Sequence, residues 1–235
     1  MTDTGRARQS NQDSVFCEEN AVGKFPNLFI VADGMGGHNA GDIASQLGIR
    51  EVVKRIQASE MITPVGILEE AVQSANESIF ESAEKDEKLQ GMGTTMVGTT
   101  VIDNTAYVIN VGDSRMYLLH DTFRQITEDH SLVEEMVRSG ELQKEDMRTH
   151  PNKNIITRAL GTYKAVQADC FEVDVKPGDV LLLCSDGLTN MLDDELIEGT
   201  IRQYGDQIHD AGQRLVELAN EAGGKDNISV VLIQV

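Results

Sequence analysis

The sequence predicts an α+β fold in which two antiparallel β-sheets form a sandwich flanked by helix pairs on both sides, four layers in all. Three observations carry that expectation. Runs of β-branched and apolar residues alternate with pairs of segments of helical period. Hairpin-type turns join the strand-like runs, which argues against a doubly wound parallel sheet. Two separate helix pairs need sheet faces on two sides, and a double-sheet core supplies them.

In chain order, SVFCEE and LFIVAD read as strands. IREVVKRI then places Ile49, Val52, Val53 and Ile56 on one face of a helix, at i, i+3, i+4 and i+7. ILEEAVQSANESIF repeats the pattern through Ile67, Leu68, Ala71, Val72, Ala75 and Ile79. The period then changes: TTMVGTTVIDNTAYVINVGDSRMYLLH is rich in β-branched residues, with a hairpin turn expected at Asp103–Asn104. Residues 131–158 are polar, with one short helix (SLVEEMVRS), and read as a flap. CFEVDV and VLLLCS are strands around the turn at 176–179. DDELIEGTIRQY and AGQRLVELANEA form the second helix pair, and ISVVLIQV closes the chain.

The chain has 235 residues, 40% hydrophobic and 4% aromatic, without Trp, so its core must be aliphatic. No Pro/Gly/Ser-rich linker divides it, and a single domain over 1–235 is expected. The abrupt start leaves room for a few upstream residues of a first strand. A net charge of −19 disfavours nucleic acid, whose binders displace counterions with Lys and Arg. It also disfavours an anionic membrane surface. Neither a signal peptide nor a membrane span is apparent. Cys17, Cys170 and Cys184 are odd in number and lack C-x-x-C spacing, which points to free thiols in a reducing cytoplasm. Cys17 and Cys184 lie in apolar runs and are expected to be buried.

One feature recurs. Asp33 ends LFIVAD before Gly34, Asp113 follows AYVINVG, and Asp186 follows VLLLCS before Gly187. Asp226, in GGKDN, stands just before the last strand, and Asp13, in SNQD, just before an early one. In antiparallel sheets strand ends lie beside strand starts, so the five are expected to share one sheet edge. Carboxylates gathered in a small volume stay ionised only beside cations, and hard oxygen donors suit Mg²⁺ or Mn²⁺. A single Asp–Gly pair would be turn chemistry; several, each at a buried-looking strand end, favour a metal site. The glycine-rich DGMGGHNAGD does not match G-x-G-x-x-G, and no Walker A, H-E-x-x-H or G-x-S-x-G pattern is present.

The series RQSNQD, DGMGGH, GDSR, SDGL and GGKDN, in that order, resembles the bacterial branch of the type 2C metal-dependent serine/threonine protein phosphatases. The resemblance spans essentially the whole chain, and MGTT, TEDHSLV and ALG share it. It implies a two-sheet sandwich flanked by helices and a binuclear Mn²⁺ or Mg²⁺ centre, with a third ion in bacterial members. Position by position, Asp33 would bridge two metals, with the Gly34 carbonyl on one of them. Asp186 and Asp226 would complete the first metal, Asp13 would hold metal-bound water in the outer shell, and Asp113 would share the third ion with Asp186. Arg8 would bind the substrate phosphate, which a guanidinium matches bidentately. The reaction implied is hydrolysis of phosphoserine and phosphothreonine in proteins by a metal-bridged hydroxide. Phosphoproteins and a serine/threonine kinase acting in opposition are the implied partners of a bacterial signalling enzyme, expected to be a monomer. The chain departs from the family at two places. Some members carry Glu where this chain has Gln12, whose neutrality would weaken the second metal. In animal-type members His directly follows the Asp–Gly pair; here Met35 follows and His38 comes later, which leaves the general acid unassigned.

Three rival readings were set against this one. A phosphopeptide-binding module would have no need of all the aspartates. An acidic Ca²⁺-binding protein would carry a D-x-[DN]-x-[DN]-G loop, which is absent. A two-metal nuclease is disfavoured by the charge.

Overall fold

Two antiparallel sheets stack face to face in the computed structural model, which describes residues 1–37 and 40–235. His38 lies outside the described residues. The first strands are β1 (Thr2–Asp3), β2 (Asp13–Glu18) and β3 (Leu28–Met35). Helices α1 (Ala40–Ala58) and α2 (Pro64–Lys85) follow, then β4 (Gly93–Thr94), β5 (Met96–Ile102), β6 (Thr105–Val111), β7 (Arg115–Leu119) and β8 (Phe123–Gln125). After α3 (Leu132–Arg138) come β9 (Asp169–Asp174), β10 (Val180–Cys184), α4 (Asp186–Thr189), α5 (Asp194–Tyr204), α6 (Ile208–Glu221) and β11 (Ile228–Gln234). One sheet runs β1-β11-β10-β7-β8 and the other β2-β3-β5-β6-β9, with β4 paired to β3.

Three apolar layers separate the four structural ones. Phe29, Val31, Val97, Val108, Leu118, Leu181, Leu183 and Val231 fill the space between the sheets. α1 and α2 bury the predicted Ile49, Val52, Ile56, Ile67, Leu68, Ala71, Val72, Ala75 and Ile79 against the outer face of β3, β5 and β6, while Val53 stays half-buried. α5 and α6 place Ile197, Ile201, Leu215 and Ala219 over β10 and β11. α2 starts where Thr63 accepts from the Gly66 N–H and Pro64 occupies the first turn, a cap that satisfies otherwise orphaned donors. Asp103 takes a positive φ in the predicted β5–β6 turn.

The segment 131–158 contains α3, capped by Ser131, and a 3-10 helix at Lys144–Thr149. A bridge between Ser131 and Ile156 closes its base. Cys184 is buried as expected, but Cys17 is exposed. The reason is topological: β2 lies at the edge of its sheet, so its apolar run lacks a neighbour on one side.

Candidate metal and phosphate site

The five predicted aspartates converge, but between the sheets rather than along one sheet edge. Asp13 and Asp33 face each other in register on β2 and β3. Asp33 is not the last residue of its strand, because β3 continues through Gly34 and Met35 to pair with β4. Asp113 sits in the link from β6 to β7, which passes from one sheet to the other. Asp186 opens α4 just after β10, and Asp226 precedes β11. Strand ends of both sheets thus meet at one end of the sandwich.

A cavity of about 570 Å³ lies there, lined among others by Arg8, Gln12, Asp33, Gly34, Asp113, Lys153, Asp186 and Asp226. Asp13 sits behind this wall, 6% exposed. Its Oδ2 accepts from Ser185 Oγ at 2.7 Å, and its backbone N–H donates to Asn11 Oδ1 at 3.1 Å. Glycine is required at position 34, where a Cβ would collide with the carbonyl oxygens of Gly41 and Gln12. The Asp33 N–H donates to Thr95 Oγ1 at 3.0 Å, and Thr95 meets Ser114 at 2.7 Å beside Asp113.

Burial and repulsion between neighbouring carboxylates dominate the electrostatics of the cluster. Burial raises Asp13 to about 6, with repulsion from Asp186 and Asp226 adding to it. Burial, then Asp186 and Asp129, lift Asp113 to about 8. Burial and Asp226 raise Asp186 to about 6. Asp33 rises well above the usual carboxylate range through burial and the repulsion of Asp13, Asp186, Asp113 and Asp226. Its carboxyl acts on Asp186 as a hydrogen-bond donor would, opposing that rise. Arg8 Nη2 donates to Asp226 Oδ2 at 2.8 Å at the half-exposed mouth, so the predicted phosphate ligand is paired with a predicted metal ligand.

Among the described residues, no three His, Cys, Asp or Glu side chains meet as a ready-made ion-binding group. The residues nevertheless fit Mn²⁺ or Mg²⁺, which retain water and accept carbonyl oxygen. Among the described residues, buried side-chain atoms lacking a hydrogen-bond partner include Asp13 Oδ1 and Asp186 Oδ1. Orphaned buried oxygens of this kind are costly unless something positive faces them.

Asn190 and Asn227 were not read from the sequence as contributors to the site. Asn190 Nδ2 donates to Asp186 Oδ2 at 2.9 Å. Asn227 ties the Arg8-bearing loop down, donating to Thr4 O at 2.9 Å and Ser10 O at 3.0 Å while accepting from the Gln12 N–H at 2.8 Å. Arg115 supports the Asp113 loop as a bidentate partner of Asp129, at 2.7 and 2.9 Å. His130 is 4% exposed; its Nδ1 accepts from the Gly112 N–H at 3.0 Å. Burial lowers its pKa, which suits a neutral packing role.

The family model described as "Protein phosphatase 2C" matches residues 1–228. The chain belongs to the protein phosphatase 2C family. It is 43% identical to serine/threonine phosphatase stp of Listeria innocua, over 99% of this chain and 93% of that protein. The crystal structure of the Mycobacterium tuberculosis serine/threonine phosphatase PstP/Ppp superposes with a TM-score of 0.91 at 35% identity, covering 100% of this chain and 96% of that one. The catalytic domain of serine threonine protein phosphatase PstP in complex with two manganese ions matches with a TM-score of 0.86 at 34% identity, over 99% and 94% of the two chains. The sandwich predicted from the sequence is therefore the fold of this family. Its reaction, metal-dependent removal of phosphate from serine and threonine in proteins, is the reaction of this chain.

Proposed function

We propose that Asp33, Asp186, Asp226 and the Gly34 carbonyl hold two divalent ions, with Asp33 as the bridge. Asp113 and Asp186 hold a third, Asp13 stands in the outer shell, and Arg8 receives the phosphate. The observation that carries this reading is the convergence of four aspartates and Gly34 on one cavity, with the carboxyls of Asp33, Asp113 and Asp186 raised by burial and then by repulsion from neighbouring carboxylates. Bound divalent ions supply water activation and charge neutralisation at phosphorus.

The chain's own groups do the rest. Arg8 is half-exposed and paired to Asp226. A phosphate dianion entering the mouth competes for that guanidinium and is oriented by it. Asp13, fixed by Ser185 through Oδ2, would hold metal-bound water through Oδ1, which has no hydrogen-bond partner among the described residues. Asn190 fixes one oxygen of Asp186. Gln12, neutral where some relatives are acidic, leaves the second ion with less charge around it.

The substrates are phosphoproteins, and the enzyme works against a serine/threonine kinase. One phosphatase domain spans 1–235, with 131–158 as its flap. Every proposed ligand comes from one chain, so a monomer suffices. Free Cys17, Cys170 and Cys184 fit a reducing cytoplasm. No helix among the described residues is long and apolar enough to cross a membrane.

The test is hydrolysis of a phosphothreonine peptide with Mn²⁺. Turnover that vanishes in EDTA and in Asp33→Asn is expected. Phosphopeptide binding without hydrolysis would mean a binding module, and full activity in Asp33→Asn would remove the bridge.

A further inference from the structure

The loop that follows Asp186 is held by two cations from the flap. α4 is a single turn, and Asn190 comes directly after it. The Asn190 amide nitrogen donates to Asp186 Oδ2 at 2.9 Å, while its oxygen accepts from Lys153 Nζ at 3.2 Å. Arg148 Nη2 holds the backbone around the same residue, donating to Thr189 O at 3.1 Å and Leu192 O at 3.0 Å.

An amide has a donor end and an acceptor end, whereas a lysine ammonium only donates. Lys153 therefore decides which way Asn190 points. With the amide oxygen turned to Lys153, the nitrogen must face the carboxylate. A flipped amide would set two donors against each other at one end and two acceptors at the other. Lys153 is half-buried and lines the same cavity as Asp33 and Asp186.

We propose that Lys153 is a positioning residue for the metal site. It locks the Asn190 amide so that Asp186 Oδ2 is taken up by Asn190 and the buried Oδ1 is left to face a cation. Oδ1 has no hydrogen-bond partner among the described residues. Groups behind a metal ligand orient it in this way, and losing one weakens binding by about 10–100-fold. The inference rests on the reading of Asp186 as a metal ligand.

The sign of the effect separates positioning from simple charge. Removing a positive charge near a cation site should tighten metal binding by Coulomb's law. Removing a positioning residue should weaken it.

The experiment is calorimetric titration of Mn²⁺ into the metal-free full chain, with thermal melts of each metal-free variant. Asn190→Ala is expected to weaken Mn²⁺ binding about 10-fold, and Lys153→Met by about 3-fold or more. The double variant should bind no more weakly than Asn190→Ala, since Lys153 acts only through that amide. Lys153→Arg, also purely a donor, should restore binding. Lys153→Ala replaces Lys153→Met if the latter melts below the assay temperature. Unchanged or tighter binding in Lys153→Met, or effects that add fully in the double variant, would overturn the proposal. Asp186→Ala is the control: undiminished Mn²⁺ binding there would overturn the ligand reading itself, whatever Lys153 does.

Discussion

Loading the site with metal must expel protons. Cations bind carboxylates, not carboxylic acids, so each acid neutral at the working pH gives up its proton. At pH 7 an Asp113 raised to about 8 is about nine-tenths protonated. Asp33 is raised in the same direction, by burial first and then by its carboxylate neighbours. Asp13 and Asp186, at about 6, each contribute only about a tenth. Saturation with Mn²⁺ at pH 7 should therefore release at least about one proton per chain, most of it from Asp113. Toward pH 5 the number should climb, because Asp13 and Asp186 then also start protonated. Calorimetric titrations in two buffers of different ionisation enthalpy measure this directly. Asp113→Asn should lower the release by about one proton. Release near zero in the wild type, or release that falls toward pH 5, would refute the picture of crowded, neutralised carboxyls.

Three further outcomes follow from the same geometry. In EDTA the fold should weaken as pH rises from 6 to 9. Asp113 has a folded pKa raised above its unfolded one, so the stability that comes from its neutral form is complete below about pH 4 and is lost as pH passes 8. Unfolding free energies from urea melts should fall by on the order of a few kcal/mol across that window and recover with Mn²⁺; a flat or rising profile contradicts this. Arg8→Ala should raise KM for a phosphothreonine peptide about 10-fold with little change in melting temperature, because the Arg8–Asp226 pair is half-exposed; an unchanged KM counts against phosphate binding. Gly34→Ala drives a Cβ into the backbone carbonyls of Gly41 and Gln12 and should cost about 3 kcal/mol or more by denaturant unfolding; wild-type stability would show that the backbone yields there.

Periodicity made the helix faces legible. Every apolar residue assigned to the α2 face is buried, because a helix packed on a sheet buries one continuous stripe. The five aspartates were visible because each adjoins a strand that sequence pattern can recognise. Their meeting between two sheets was not, since which strands lie opposite is settled by packing and not by local pattern. The supporting hydrogen bonds were hidden for the same reason: Ser185 reaches Asp13 across 172 positions, and Asn227 reaches Ser10 across 217. Asn190 is the exception, because its i, i+4 spacing from Asp186 across a helical turn is a local signal. Cys17 shows the converse, an apolar run whose exposure follows from its edge position. The flap lacks apolar periodicity because polar contacts tie it down, among them those of Arg148 and Lys153.

The most direct test of the central claim is anomalous diffraction at the manganese edge from crystals grown with Mn²⁺. Two strong peaks flanking Asp33, one beside Asp186 and Asp226 and the other beside the Gly34 carbonyl, are predicted, with a weaker third near Asp113. Peaks confined to surface carboxylates away from Asp33, in crystals of protein that hydrolyses phosphothreonine peptide, would contradict it.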